Sequence, residues 1–383
     1  MTTRPRLDSL IFEAMQRCNH ACLHCYNVWQ AEPSLLAARS PQGQLDTART
    51  LAVLGMALDE IGCRHVTITG GEPLLRRDLS AIFDFLRERN VRISLISNGR
   101  LLTDLTAASL IQRGVEAFEL PLLSHERETH DRLSASAEAW DAALSAMASI
   151  RKHHGRVVAS FVATRLNIDH LYQAVRLAFG FGAQAFMFNR FIPGGRRRLH
   201  LREQLPSVEQ VRTALAVAEA APAGFCIPIA CSIPIQPCLI DTRAYPHMGF
   251  GYCGIGTERA YYTLDPFGNL RPCNHSSMIL GNLLESAFSD LVEGERLHCY
   301  AAALPASCTG CEQRLVCQGG CKAAAEACYG SADVTEPFLR AALAASNYAH
   351  PIRRGAAGLD ACQSAPTATN GATESCNNPL TRC

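Results

Sequence analysis

The sequence predicts an α/β fold, a partial (β/α)6 barrel of the TIM type followed by a cysteine-rich C-terminal region. Three observations predict it. Short apolar runs alternate with helical patterns through the first half of the chain. Glycine or Asn-Gly breaks stand where several of those runs end. Eighteen cysteines, far above ordinary usage, gather mainly at short spacings in two regions.

The elements follow in order. "SLIFEAMQ" (9–16) reads as a strand and leads into a cysteine loop. Residues 46–62 carry apolar residues at helical spacing, with Asp46 as N-cap. "HVTIT" (65–69) is a strand running into Gly70-Gly71, and "RDLSAIFDFLRER" a helix. "VRISLIS" (91–97) is a strand ending at Asn98-Gly99, and the helix after it stops at Gly114. Residues 115–123 form a fourth strand, followed by a longer excursion and the helix "EAWDAALSAMASIRKH". Residues 157–166 are a fifth strand, 169–180 a helix, and 183–193 a sixth strand.

Strands alternating with helices give parallel pairing through right-handed crossovers. Six units fit an open or partial barrel, whereas eight close one. In such barrels the chemistry sits on loops after the strands' C-terminal ends. From about Leu205 the repeat stops. The expected organisation is a barrel over 1–204, a bridging helix and linker over 205–245, a cysteine-rich domain over 246–342, and a low-complexity, disordered tail over 343–383.

The 383 residues suffice for one large domain or two ordinary ones. Lys and Arg (36) balance Asp and Glu (35), so charge argues for neither nucleic acid nor an anionic membrane as partner. No apolar run approaches the ~20 residues needed to cross a bilayer. The N-terminus "MTTRPRLDSL" lacks an apolar segment behind its basic residues, so no secretory signal is read and the cytoplasm is the expected compartment. A large chain without such a signal uses clustered cysteines for metal or iron–sulfur ligation rather than disulfides.

The first cluster is Cys18, Cys22 and Cys25, spaced C-x3-C-x2-C. A surface loop after a strand is a poor place to bury three small apolar side chains. A structural zinc site wants four ligands, commonly two C-x2-C pairs, and His20 and His24 keep that reading open. A four-iron, four-sulfur cluster held by three thiolates leaves one iron open to a substrate or cofactor.

With Tyr26 beside its last cysteine, this motif resembles the signature of the radical SAM superfamily. That resemblance implies an open iron that chelates the amino and carboxylate groups of S-adenosylmethionine. One electron then cleaves a carbon–sulfur bond and yields the 5′-deoxyadenosyl radical. It extends over the whole barrel half. "TGGEP" (Thr69–Pro73) resembles the turn that binds the methionine amino group, which implicates Gly70, Gly71, Glu72 and Pro73. "SNG" resembles the segment near the ribose and carboxylate, which implicates Ser97 and Asn98. "THDRL" (129–133) and "FNRFIPGGR" (188–196) resemble stretches of the peptide-modifying branch, the latter passing its backbone under the adenine. Relatives read "SLDG" after the fourth strand where this chain reads "PLLS" (121–124), so that serine's role is not carried over.

The second region begins at Cys253. Fourteen residues separate it from Gly268 and four more precede Cys273. Cys308, Cys311, Cys317 and Cys321 follow with spacings x2, x5 and x3. This composite resembles the SPASM domain, which carries up to two auxiliary iron–sulfur clusters. A zinc ribbon is the rival reading. The resemblance implies Cys253, Cys273 and Cys321 for one cluster and Cys308, Cys311 and Cys317 for the other. Each set lacks a fourth ligand: Cys328 or Cys362 is the candidate for the second set, and for the first either Cys231 or Cys238 serves or the site stays open to substrate. Relatives place a closing cysteine near a dipeptide like Glu336-Pro337, where this chain has none.

Function follows from the resemblance. Enzymes with this pair of domains, such as the pyrroloquinoline-quinone peptide crosslinking and sulfatase-maturing enzymes, mostly modify peptides or proteins. The expectation is an oxidative peptide maturase forming a crosslink, a C–S or C–C bond, or a dehydrogenation, as in ribosomal peptide natural products. A reductase such as flavodoxin or ferredoxin would supply electrons. With Cys18 so near the start, a separate leader-recognition protein or a direct docking mode is expected. A dehydrogenase or epimerase acting on a small molecule is the alternative within enzymes, and a zinc-binding scaffold the alternative outside them. No histidine among His125, His130, His275 and His298 is assigned as catalytic.

Overall fold

The computed structural model describes residues 7–28, 43–195 and 201–345. Six parallel strands form in the expected order: β1 (Ser9–Met15), β2 (His65–Gly70), β3 (Arg92–Ile96), β4 (Val115–Pro121), β5 (Arg156–Ala163) and β6 (Ala185–Arg190). Their inward residues, such as Phe12, Ile68, Leu95, Phe118, Phe161 and Phe188, are fully buried. The helices cross back over one face, as parallel pairing requires. Asp46 caps helix Thr47–Ile61, its carboxylate accepting from Arg49 N at 2.8 Å, and Gly62 ends that helix in the left-handed region. Helix Arg127–Ser134 was not anticipated; it lies in what reads as an excursion.

The parallel sheet does not stop at β6. After helix Val208–Phe225, started by a capping box of Ser207 and Gln210, β7 (Ile229–Cys231) pairs with β6 and β8 (Met248–Phe250) with β7. The expected linker therefore contains one further strand, β7, and the expected cysteine-rich domain opens with another, β8. Both are three residues long, too short to leave a readable period.

At the other edge the chain returns. β9 (Thr263–Leu264) lies parallel to β1, with Ile11 opposite Thr263 and Phe12 opposite Leu264. β10 (Asn269–Arg271) and β11 (Gly281–Asn282) add antiparallel strands. The β9–β10 turn is built by Asp265, which accepts from Phe267 N, Asn269 N and Asn269 Nδ2 at 2.9–3.0 Å, and by Gly268 at φ +84°. The result is one sheet of 11 strands, ordered β11-β10-β9-β1-β2-β3-β4-β5-β6-β7-β8.

Two buried ion pairs join the C-terminal region to the barrel. Arg271 on β10 pairs with Glu13 on β1, and Arg190 at the end of β6 pairs with Glu336. All four side chains are at most 2 % exposed. Arg190 also donates to Pro234 O at 2.9 Å and lies over the Phe338 ring. Among the described residues no helix is long and apolar enough to cross a membrane. Residues 346–383, with Cys362, Cys376 and Cys383, and Arg196 of "FNRFIPGGR" lie outside the described residues.

Candidate metal centres

The three-cysteine loop leaves the C-terminal end of β1 and is held by neighbours rather than by its own secondary structure. Cys25 N donates to Cys22 O at 3.3 Å, and Leu23 N donates to Leu133 O of helix Arg127–Ser134 at 2.8 Å. The unanticipated helix thus fixes the loop. Cys18, Cys22 and Cys25 are all half-buried. Cys18 Sγ accepts from His20 N at 3.4 Å and from Asn98 Nδ2 at 3.8 Å. Burial pushes the Cys18 thiol up, so the thiolate needs a cationic partner to persist there.

Gly70 and Gly71 press the second turn against this loop. A Cβ on Gly70 would stand 2.4 Å from Met15 O, and one on Gly71 2.1 Å from Arg17 O. Gly71 N donates to Met15 O at 2.6 Å and Glu72 N to Arg17 O at 2.8 Å. The glycines are therefore required by contact with the chain's own cysteine loop. Pro73 opens a short 3-10 turn behind them.

Glu72 is fully buried. Its Oε1 accepts from Leu74 N at 3.1 Å and Ser97 Oγ at 2.9 Å, and its Oε2 from Asn98 N at 2.8 Å. Burial raises its pKa against the pull of those three donors. The carboxylate thus ties the β2 turn to the β3 turn. Asn98, so held, sends its side chain to Cys18 and to Asn19 Oδ1 at 2.7 Å.

Tyr26 lies on the other side of the loop. A Cβ on Gly194 would fall 2.5 Å from Tyr26 O, so "FIPGG" passes directly against it. The Tyr26 ring meets the His275 ring at 4.3 Å between centroids, and burial raises its phenol. In "THDRL", Asp131 accepts from Glu138 N and Trp140 N at 2.9 and 2.8 Å, starting the next helix, and His130 Nδ1 accepts from Leu123 N at 3.2 Å. Ser124 of "PLLS" is fully buried and bonded to His170 Nδ1 at 2.8 Å. That stretch is structural here.

The second cysteine region separates into two groups. Cys253, Cys273 and Cys321 surround Tyr261 and line one cavity together with Tyr252, His275 and Lys322. Burial pushes the Cys273 thiol up to about 12 and raises Cys253 and Cys321, each aggravated by or acting on its neighbours. Cys308, Cys311 and Cys317 form the other group, on the turns before and within the short helix Arg314–Cys317. Of the bridge cysteines, Cys231 donates its thiol to Ile233 O at 3.1 Å, and Cys238 stands with the Cys308 group rather than with Cys253. Cys328 is fully buried and disulfide-bonded.

Among the described residues no three Cys, His, Asp or Glu side chains converge closely enough to share one metal ion. The thiols here are soft donors grouped by threes, with backbone N–H and amide donors on sulfur, which suits iron–sulfur ligation.

Residues 12–178 match the Radical SAM superfamily. The PqqA peptide cyclase of Granulibacter bethesdensis is 24% identical over 335 residues, covering 86% of each chain. The AdoMet-dependent heme synthase of Methanosarcina barkeri is 25% identical over 358 residues, covering 88% of this chain and 97% of that one. SuiB of Streptococcus suis, solved with S-adenosylmethionine and with the precursor peptide SuiA, superposes with TM-scores of 0.66 and 0.65 at 15% and 14% identity. Those two structures cover 87% of this chain and 76% and 75% of SuiB, a likeness of fold. The strand order and the cysteine loop define a radical SAM domain over residues 12–178. The chain is an enzyme that carries a radical SAM domain, and that domain implies a [4Fe–4S] cluster and S-adenosylmethionine.

Proposed function

We propose that the chain holds a [4Fe–4S] cluster on Cys18, Cys22 and Cys25, cleaves S-adenosylmethionine there, and oxidatively modifies a peptide or protein. When bound, the cluster supplies the electron for reductive cleavage, and the organic fragment abstracts a hydrogen atom from the substrate. The carrying observation is the packing of the GGE and SNG turns on the cysteine loop, with Asn98 on Cys18. Gly70, Gly71 and Pro73 shape the wall for the methionine end. Glu72 positions Ser97 and Asn98 through its hydrogen bonds and, with the glycines, belongs to the turn for the methionine amino group. Tyr26 and the Gly194 backbone bound the opposite side. No residue is assigned as the catalytic acid or base.

The peptide reading is supported by the PqqA peptide cyclase relative and by SuiB's complex with its precursor peptide. The bond formed is a crosslink, a C–S or C–C bond, or a dehydrogenation. Cys253, Cys273 and Cys321 hold one auxiliary cluster and Cys308, Cys311 and Cys317 another. They take or relay the electron left on the substrate. A flavodoxin or ferredoxin, a separate leader-recognition protein and a cytoplasmic setting complete the reading. The heme synthase relative favours a second reading, a small-molecule substrate modified by the same chemistry.

The test is an anaerobic iron and sulfide count on reconstituted protein, repeated on a variant lacking Cys18, Cys22 and Cys25. About twelve irons falling to about eight supports the assignment. Cleavage of S-adenosylmethionine that survives Cys22→Ala, or zinc in place of iron, overturns it. A short precursor peptide encoded beside the chain, and modified by it, separates the peptide reading from the small-molecule one.

A further inference from the structure

The Cys308 group has three cysteines in the SPASM-like count and no closing cysteine where relatives carry one. At that place the chain has Glu336, and its carboxylate is fully committed to Arg190 and Gln236 inside the core. Cys328, the nearest cysteine in sequence, is disulfide-bonded. The structure offers a different sulfur.

Cys238 sits on the turn that follows β7. Leu239 N and Ile240 N both donate to Gln236 O, at 2.9 and 3.1 Å, which makes the turn tight. Three contacts pin it. Arg190 Nε holds Pro234 O at 2.9 Å, Arg212 Nη2 reaches Leu239 O at 3.3 Å, and the fully buried Gln236 side chain bonds Glu336. The turn is packed on the glycines that follow Cys317: a Cβ on Gly320 would stand 2.2 Å from Gln236 Nε2. Gly320, at φ +96°, is the residue that lets the two turns touch.

The facing turn carries the three cysteines. Cys311 N donates to Cys308 O at 3.1 Å, and Cys317 N to Gln313 O at 2.8 Å, so the chain doubles back and brings all three to one side. The thiol of Cys238 and those of Cys308 and Cys311 repel one another as thiolates, and Cys238 is the foremost charged neighbour of Cys317.

We propose that Cys238 is the fourth thiolate ligand of the second auxiliary cluster, completing Cys308, Cys311 and Cys317 from the bridge instead of from the C-terminal end. The proposal rests on the iron–sulfur reading of that group given above. A cluster held by four protein thiolates has no open iron, so it passes electrons and binds no substrate. The Cys253, Cys273 and Cys321 group, with three thiols facing the cavity beside Tyr26's partner His275, is then the auxiliary site left with an open position.

The test uses the full chain lacking Cys18, Cys22 and Cys25, reconstituted anaerobically, so that only auxiliary clusters remain. Cys238→Ala is compared with that parent and with a Cys308→Ala/Cys311→Ala variant, reading iron per chain and the electron paramagnetic resonance of the reduced protein with and without cyanide. Cys238 is exposed, so its loss leaves the fold intact. The expected result is that Cys238→Ala either loses about four irons, as the double variant does, or keeps them and gains a second cyanide-sensitive signal. Cys238→Ser retains the iron with shifted g-values. If Cys238→Ala keeps both iron and an unchanged spectrum while the double variant loses a cluster, the ligand assignment is wrong and the auxiliary-cluster reading stands. If the double variant changes neither iron nor spectrum, both are wrong.

Discussion

Glu72 shows how one buried residue sets the geometry of a site. Its two oxygens join turns that the sequence separates by 25 positions, and Asn98 reaches Cys18 only because that joint exists. Glu72→Gln keeps the size but loses one acceptor, leaving either Asn98 N or Ser97 unsatisfied. Binding of S-adenosylmethionine, measured by equilibrium dialysis, should weaken about tenfold, the ~1–3 kcal/mol of a lost buried hydrogen bond. His130 gives a pH prediction. It is fully buried, and burial pushes its pKa down to about 4, while Asp131 opposes and His20 assists that shift. A folded pKa below the unfolded ~6.5 means that stability is complete above pH 6.5 and is lost as pH falls toward 4. The loss is on the order of 3 kcal/mol. His130→Asn keeps the acceptor for Leu123 N and removes the titration. The difference in melting temperature between variant and parent should shrink from pH 7 to pH 4.5, whereas a constant difference would mean that His130 is protonated in the fold.

The elements meet at glycines and at short turns. Gly71 has ordinary backbone angles, yet no larger residue fits, because the Arg17 carbonyl occupies the Cβ position. Gly71→Ala must push the cysteine loop away from β2. Iron at the first site should fall by about four per chain, with the auxiliary iron retained. Retention of all iron and of S-adenosylmethionine cleavage would show that the loop accommodates the methyl group. Helix Arg127–Ser134 acts at the same scale: its Leu133 carbonyl holds Leu23, between the second and third cysteines. Nothing in the pattern of "RETHDRLS" announces this, because the contact is made by backbone atoms.

The molecule as a whole is one sheet with its cysteine-rich end folded back onto both edges. β9 to β11 extend the β1 edge, and the bridge after β7 carries the β6 edge toward the last cysteines. The seams are the buried pairs Arg271–Glu13 and Arg190–Glu336. Removing one partner leaves an uncompensated buried charge, which costs about 3–5 kcal/mol. Glu336→Gln should therefore lower the melting temperature by several degrees and release iron from the auxiliary sites, while Arg190→Met/Glu336→Leu recovers part of the loss. A single variant with unchanged melting would show the seam to be dispensable.

The sequence by itself determined the six-stranded α/β plan, the three-cysteine loop and the two glycine turns. Those features are written in local periods and spacings, which a linear chain displays directly. Two sets of three cysteines in the second region are implied by the resemblance to the SPASM domain, not by spacing alone. The sequence did not reveal β7 and β8, whose three-residue runs have no period to read. It did not reveal the role of Leu133, or that Glu336 closes a core seam where a cysteine was sought. Nor did it show which cysteine group Cys238 joins. That depends on Gly320 and Gln236 meeting across 84 residues, a contact that exists only once Arg190 and Glu336 have docked the two ends of the chain.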